Sequence, residues 1–354
     1  MNLKTIHKNI LVIRLGAIGD VIQTLPAIQQ LQLNYPDAKI HWAIEDKSYP
    51  IVKNQTNLEF ILFPKKKIFS LNPLVALYTN IKFRKLLKSK NFDLVIDFQG
   101  LFKSGWISFN SFCSQRIGFH SSNTREFNHY FQTNTIVEIP ERVMHRVDFY
   151  QELLFKIGLT KHKLEDPFNF QFLPNEIKGF RDLIHRLRIR LPYIIINIGA
   201  SKATKRWKTK YFIELINKFK KSHPKYKILL TGGGNEDYRT GLEIFKSIAP
   251  GVCESAINKT SLIELALLVK KASFLLSGDT LALHLGSAFK IPSIGLFGGS
   301  ALAVETKPYL DQYPGLDCGG IPCYPCRKKT CSHHSCMTYI TPEQVHLAIR
   351  QISF

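Results

Sequence analysis

Asp20 closes the segment Leu15-Gly-Ala-Ile-Gly-Asp20, in which two glycines let the backbone turn sharply after an apolar run. A carboxylate there can cap the helix that follows, accepting backbone N–H groups, or it can act as a general base. The pattern is G-x-x-G rather than the G-x-G-x-x-G of a dinucleotide site, so a nicotinamide cofactor fits poorly. A second segment, Gly199-Ala-Ser-Lys-Ala-Thr-Lys205-Arg-Trp207, sets lysines behind a small-residue turn. It suits a phosphate cradle or, equally, a solvated basic loop over a packed Trp207; it is not a P-loop. In a third, Gly278-Asp-Thr-Leu-Ala-Leu-His284, Asp279 and Thr280 stand at a helix start whose N–H groups suit a pyrophosphate. His284 follows Thr280 by four residues, one turn on along the same face. Alone it would read as a core histidine, but the three together point to a ligand site. In Gly232-Gly-Gly-Asn-Glu236 the glycines permit close backbone approach, and Glu236 could accept from ribose hydroxyls or simply begin a helix.

Cysteine is concentrated near the C-terminus. Cys318, Cys323, Cys326, Cys331 and Cys336 fall together, with His333 and His334 among them. Cys323-Tyr-Pro-Cys326 has the C-x2-C spacing of a structural zinc knuckle, whereas Cys331 and Cys336 lack the matching tight spacing. Packed reduced thiols and a disulfide are the other readings. No Asp-x-Asp occurs anywhere. A diphosphate substrate would then be met by lysines, backbone N–H groups and helix ends rather than through a carboxylate-held metal.

These residues sit where strands should end. Ile10–Arg14, Lys39–Ile44, Phe92–Asp97, Tyr193–Ile198, Lys227–Thr231, Ser273–Ser277 and Ile291–Phe297 read as strands, most of them running into a glycine turn. Helical spacing links Val21, Leu25, Ile28 and Leu31, and recurs over Lys210–Lys221. Pro73–Lys90 reads as an amphipathic helix carrying Leu74, Leu77 and Ile81 beside a basic face. Alternating strands and helices imply parallel sheets with right-handed crossovers. The expected fold is α/β: two Rossmann-like doubly wound domains, 1–170 and 171–354, facing each other across a cleft, with the join in the Pro-containing stretch Asp166–Glu176. Ligands of such sheets lie beyond the carboxyl ends of the strands.

The 354 residues suffice for two domains at about 150 residues each, and 45% hydrophobic against 21% charged is a globular balance. Lys+Arg of 48 against Asp+Glu of 27 gives a net charge of +21, a field that draws polyanions without choosing among them. No apolar run approaches the about 18 residues of a transmembrane helix. The basic start, Met1–Lys8, leads into too short an apolar run for a secretory leader, so a cytoplasmic protein is expected.

Seven motifs in order make the chain resemble the ADP-heptose:lipopolysaccharide heptosyltransferases, glycosyltransferase family 9, of GT-B fold. They are Ile13-Arg-Leu-Gly-Ala-Ile-Gly-Asp-Val21 with Thr24-Leu-Pro-Ala27; Ile96-Asp-Phe-Gln-Gly-Leu-Phe-Lys-Ser104; Arg116-Ile-Gly-Phe119; Gly199-Ala-Ser201 with Lys205-Arg-Trp207; Ser277-Gly-Asp-Thr280 with His284; Leu296-Phe-Gly298; and Cys336-Met337 before Ile340-Thr-Pro342. The resemblance implies Asp20 as general base, and Ala200, Ser201 and Lys205 as the diphosphate-binding segment. It implies Asp279, Thr280 and His284 at the donor-binding helix end, with Glu236 on the ribose. Leu281 stands where the family often has glycine, which would narrow the donor site.

The activity so implied is an inverting, metal-independent transfer of heptose from ADP-heptose to the inner core of a lipopolysaccharide precursor (lipid A-Kdo), with no required cofactor. Domain closure would bring Asp20 onto the donor. Arg14, Lys103, Arg116 and Arg125 are the candidates for acceptor phosphates. Lys65–Lys67 and the Lys82–Lys88 face are candidates for resting on the anionic inner-membrane surface. Another nucleotide-sugar glycosyltransferase, or a nucleotide-sugar epimerase of the same fold, is the alternative. No helix-turn-helix, finger or RNA-binding motif supports a specific nucleic-acid partner.

Overall fold

A computed structural model describes residues 7–132, 135–139, 144–299, 302–309, 313–324, 326, 328 and 330–354. The chain divides into two compact units, Met1–Gln171 and Phe172–Phe354.

The first unit holds six strands: β1 (Asn9–Ile13), β2 (Lys39–Glu45), β3 (Leu58–Phe63), β4 (Leu94–Asp97), β5 (Arg116–Phe119) and β6 (Thr135–Val137). All pair in parallel, in the order β3-β2-β1-β4-β5-β6. The runs Ile10–Ile13 of β1 and Leu94–Ile96 of β4 are apolar and buried because helices cover both faces of such a sheet. The helix Ile18–Asn34 follows β1 and buries Val21, Ile22, Leu25, Ile28 and Leu31, the stripe its spacing predicts, running through Pro26. Asn72 caps the helix Pro73–Ser89, its side chain accepting from the Leu74 and Val75 N–H groups at 3.0 and 3.3 Å. That helix is held by Phe83 and Leu87; Leu74, Leu77 and Ile81, which mark it in the sequence, face outward.

The second unit repeats the design with β7 (Tyr193–Asn197), β8 (Lys227–Thr231), β9 (Cys253–Ser255), β10 (Phe274–Gly278), β11 (Ser293–Phe297) and β12 (Gly315–Asp317). The order is β12-β11-β10-β7-β8-β9, again parallel. The helix Thr209–Ser222 buries Phe212, Leu215, Ile216 and Phe219. Ser261 and Glu264 form a capping box on Leu262–Lys271. Trp207 is buried and donates its indole N–H to the Ile340 carbonyl at 2.8 Å, so it is a core residue beneath the basic loop.

Chain order reverses at β1/β4 in one sheet and at β7/β10 in the other. A crevice forms at such a switch point, where the crossovers leave in opposite directions. Among the described residues no helix is long and apolar enough to cross a membrane.

Candidate active site

At the β1/β4 switch point the two turns are stitched together: the Leu15 N–H donates to the Gln99 side-chain carbonyl at 2.7 Å. Asp20 lies in the first turn of the Ile18–Asn34 helix with its side chain 36% exposed, and its carboxylate is paired with the Arg14 guanidinium. Arg14 is buried. It also donates to the Phe98 carbonyl at 2.9 Å and lies 5.0 Å from the centre of the Tyr150 ring. Burial opposes its charge, but Asp20, Tyr150 and Asp97 outweigh that and push it above the usual arginine range. Arg14, expected among the acceptor cations, is here the partner of Asp20 through one guanidinium nitrogen and of the Phe98 carbonyl through another.

Asp97 ends β4 fully buried. It accepts from the Gln99 and Gly100 N–H groups at 2.8 and 3.2 Å, and from Asn128 at 2.7 Å. Burial pushes its carboxyl up in spite of these bonds. At the end of β2, buried Glu45 gathers Lys103 at 2.6 Å, Lys47 at 3.4 Å and Lys65 at 3.5 Å. Burial would raise its pKa, but the Lys103 bond and the three ammonium charges hold it below the usual range. Lys103 is thus an ion-pair partner of Glu45. Arg116, another expected acceptor cation, donates to the Phe131 and Cys113 carbonyls, both at 2.8 Å. Arg125 is exposed, and its backbone N–H donates to Gly100 at 3.0 Å.

The second unit assembles its group at the β7/β10 switch point. Lys205 Nζ donates to Asp279 Oδ2 at 2.5 Å, and His284 Nε2 lies 3.6 Å from Asp279 Oδ1. Burial opposes ionisation of Asp279, but the His284 bond and the Lys205 charge hold its carboxyl well below the usual range. Thr280 precedes the helix Leu281–Ala288. Its hydroxyl accepts from Asn197 at 3.0 Å and bonds Ser277 at 2.9 Å, so no side chain caps that helix start. Leu281 is its half-buried first residue. A Cβ on Gly278 would lie 3.9 Å from the Lys205 carbonyl and 4.0 Å from that of Gly199, so the three turns are neighbours. Ala200 is half-buried and Ser201 exposed just beyond β7.

Two residues that the sequence does not single out organise this end of the sheet. Asn197 donates to Ser277 at 3.1 Å and accepts from Thr231 at 3.1 Å, tying β7 to β10 and β8. A polar residue closing the apolar run Tyr193–Ile196 was the available signal. Asp237 is buried, pairs with Arg206 at 2.6 Å and accepts the Gly233 N–H at 2.7 Å. Gly199 and Gly232 are required here, since a Cβ on either would sit 2.8 or 2.9 Å from its carboxylate. Glu236, the expected ribose ligand, is exposed and bridges to Arg239 at 3.2 Å; its neighbour Asp237 is the inward acid.

Among the described residues no group of three His, Cys, Asp or Glu side chains could hold a metal ion. Cys318 and Cys336 pack in the core of the second unit, Cys326 and Cys331 are half-buried, and Cys323 is exposed. Burial pushes the Cys318 thiol up to about 12, the behaviour of a packed thiol. Pro325 lies outside the described residues.

Each unit thus carries a polar group at its own switch point: in the first a carboxylate paired with a buried arginine, in the second a lysine–aspartate–histidine group beside an uncapped helix start. The family model described as Glycosyltransferase family 9 (heptosyltransferase) matches residues 80–337. Lipopolysaccharide heptosyltransferase 1 of Campylobacter coli is 27% identical over 308 residues, covering 82% of this chain and 84% of its own. A glycosyl transferase family 9 structure from Veillonella parvula shares the fold, with TM-score 0.82, 18% identity and coverage of 99% and 98% of the two chains. So does an Escherichia coli heptosyltransferase solved with ADP, with TM-score 0.73, 22% identity and coverage of 97% and 99%. The fold is the GT-B fold, and this chain belongs to glycosyltransferase family 9, the heptosyltransferases.

Proposed function

We propose that the protein transfers heptose from ADP-heptose to the inner core of a phosphorylated lipopolysaccharide precursor, with inversion at the anomeric carbon and without a divalent metal. It works at the cytoplasmic face of the inner membrane, the first unit holding the acceptor and the second the donor. The observation that carries this reading is the Lys205–Asp279–His284 group beside the uncapped start of Leu281–Ala288. An ammonium has three N–H donors. Asp279 takes one and aims the others, so Lys205 can still bond diphosphate oxygens. The open N–H groups of the helix start add a second anion contact. The activity named for the Campylobacter relative and the ADP bound by the Escherichia neighbour agree with a site of this chemistry.

Asp20 takes the proton of the acceptor hydroxyl. The oxygen's electron pair forms the new bond to the anomeric carbon as the bond to the diphosphate oxygen breaks on the opposite face. ADP leaves with the electron pair of the broken bond, and Lys205 with the helix N–H groups offsets the growing charge. Arg14 holds Asp20 in place before the transfer.

Incubation with ADP-heptose and a lipopolysaccharide precursor, followed by ADP release and product anomer analysis, tests the reading. Acceptor-dependent ADP release, one inverted anomer and at least a hundredfold loss in Asp20→Ala with ADP binding kept are expected. Turnover of the nucleotide sugar without an acceptor would identify an epimerase, and thermal stabilisation by UDP- or GDP-sugars over ADP-heptose would identify another donor.

A further inference from the structure

We propose that the first unit docks on an anionic lipid bilayer through the helix Pro73–Ser89, whose first half inserts apolar side chains and whose second half meets lipid phosphates. Leu74, Leu77, Tyr78 and Ile81 fall on one helical face, turned away from the buried Phe83 and Leu87. Their exposures are 75%, 59%, 68% and 46%, and Leu71 just before the helix is fully exposed. Single exposed leucines are ordinary; a continuous stripe over several turns marks a surface that is covered in use.

Charge chooses the occupant. The helix has no acidic residue, and Lys82, Arg84, Lys85 and Lys88 follow the apolar stripe. Ile81, Arg84, Lys85, Lys88 and Phe112 line a pocket of about 190 Å³, where Arg84 and Lys88 lie 5.7 and 5.5 Å from the Phe112 ring centre. Lys66 and Lys67 add two exposed charges in the turn ahead. A second copy would set these cations against each other. Nucleic acid would match the charge but leave the leucines in water. A bilayer with acidic headgroups satisfies both halves: leucine and isoleucine enter the acyl boundary, Tyr78 keeps its hydroxyl at the headgroups, and the lysines meet phosphates. The surface is independent of which sugar is transferred.

Co-sedimentation of the full chain with phosphatidylcholine vesicles, with and without phosphatidylglycerol, tests this. Pelleting with the anionic vesicles only, weakened by salt, is expected. Leu74→Gln/Leu77→Gln/Ile81→Gln should abolish it. Lys85→Gln/Lys88→Gln should lower the partition coefficient about 25-fold, at about fivefold per charge. If the triple variant melts early, the lysine pair still decides the matter. Failure of the wild type to pellet, or unchanged pelleting of the lysine variant, overturns the proposal. So does a dimer that the triple variant converts to monomer without any vesicle binding. All these variants should turn over a water-soluble, deacylated acceptor normally, while Asp20→Ala should pellet normally, so docking and transfer fail separately.

Discussion

Lys205→Met separates what the Lys205–Asp279 pair does for the fold from what it does for the donor. The substitution keeps the apolar stem and deletes the ammonium. Asp279, with only 14% of its side chain exposed, then keeps a carboxylate whose remaining polar neighbour is the His284 imidazole at 3.6 Å. Removing one partner of a buried pair costs about 3–5 kcal/mol. The histidine and residual water access reduce this to about 2–3 kcal/mol, or about 5–10 °C in the melt of a unit this size. The sign of the pH dependence follows from the lowered folded pKa of Asp279. Its stabilisation is complete above the unfolded value of about 3.9 and is lost as pH falls toward the folded value. The gap between wild type and Lys205→Met should therefore be full at neutral pH and shrink below about pH 4. Lys205→Met/Asp279→Asn removes the stranded charge and should recover all but about 1 kcal/mol. ADP affinity, followed by calorimetric titration, should stay about 10- to 100-fold weaker in both variants, because the double variant restores the fold and not the cation. Recovery of ADP affinity in the double variant, or a wild-type melt for Lys205→Met, would refute the reasoning.

Arg14→Gln should cut kcat about 10- to 100-fold while leaving the ADP dissociation constant unchanged, since it removes the anchor of Asp20 and touches no donor residue; an unchanged kcat denies Arg14 a positioning role. Gly199→Ala drives a Cβ to 2.8 Å from Asp237 Oδ2 and should cost about 1–3 kcal/mol in a chemical melt. Asn197→Leu strands the Thr231 hydroxyl and removes the amide donor shared by Ser277 and Thr280, and should cost about 1–3 kcal/mol. Iodoacetamide at pH 8 should label Cys323 before Cys253 and Cys318, whose thiols burial pushes up to about 12; equal labelling of all three in the folded protein counts against that packing.

The parts of this molecule that can be read from sequence are those where one physical demand acts alone. Tyr193–Ile196 is apolar throughout because helices cover both faces of its sheet, and the turn at Gly199 just beyond it marks a switch point. Short edge strands such as Cys253–Ser255 and Gly315–Asp317 carry too few residues for any period. The helix Pro73–Ser89 misleads for a different reason. Its apolar residues satisfy two faces at once, and spacing cannot tell the one packed on the sheet from the one left outside. The same limit governs the sites. Glu236 and Asp237 are adjacent acids at one helix start, and a rotation of about 100° per residue sends one into solvent and the other under two glycines. Arg14 reads as a loose cation beyond a strand until the turn of Gly16 and Gly19 brings Asp20 back onto it. Residue types and order therefore disclose which turns carry chemistry, whereas the partner of each charge is set by backbone geometry that becomes fixed only when the strands are in register.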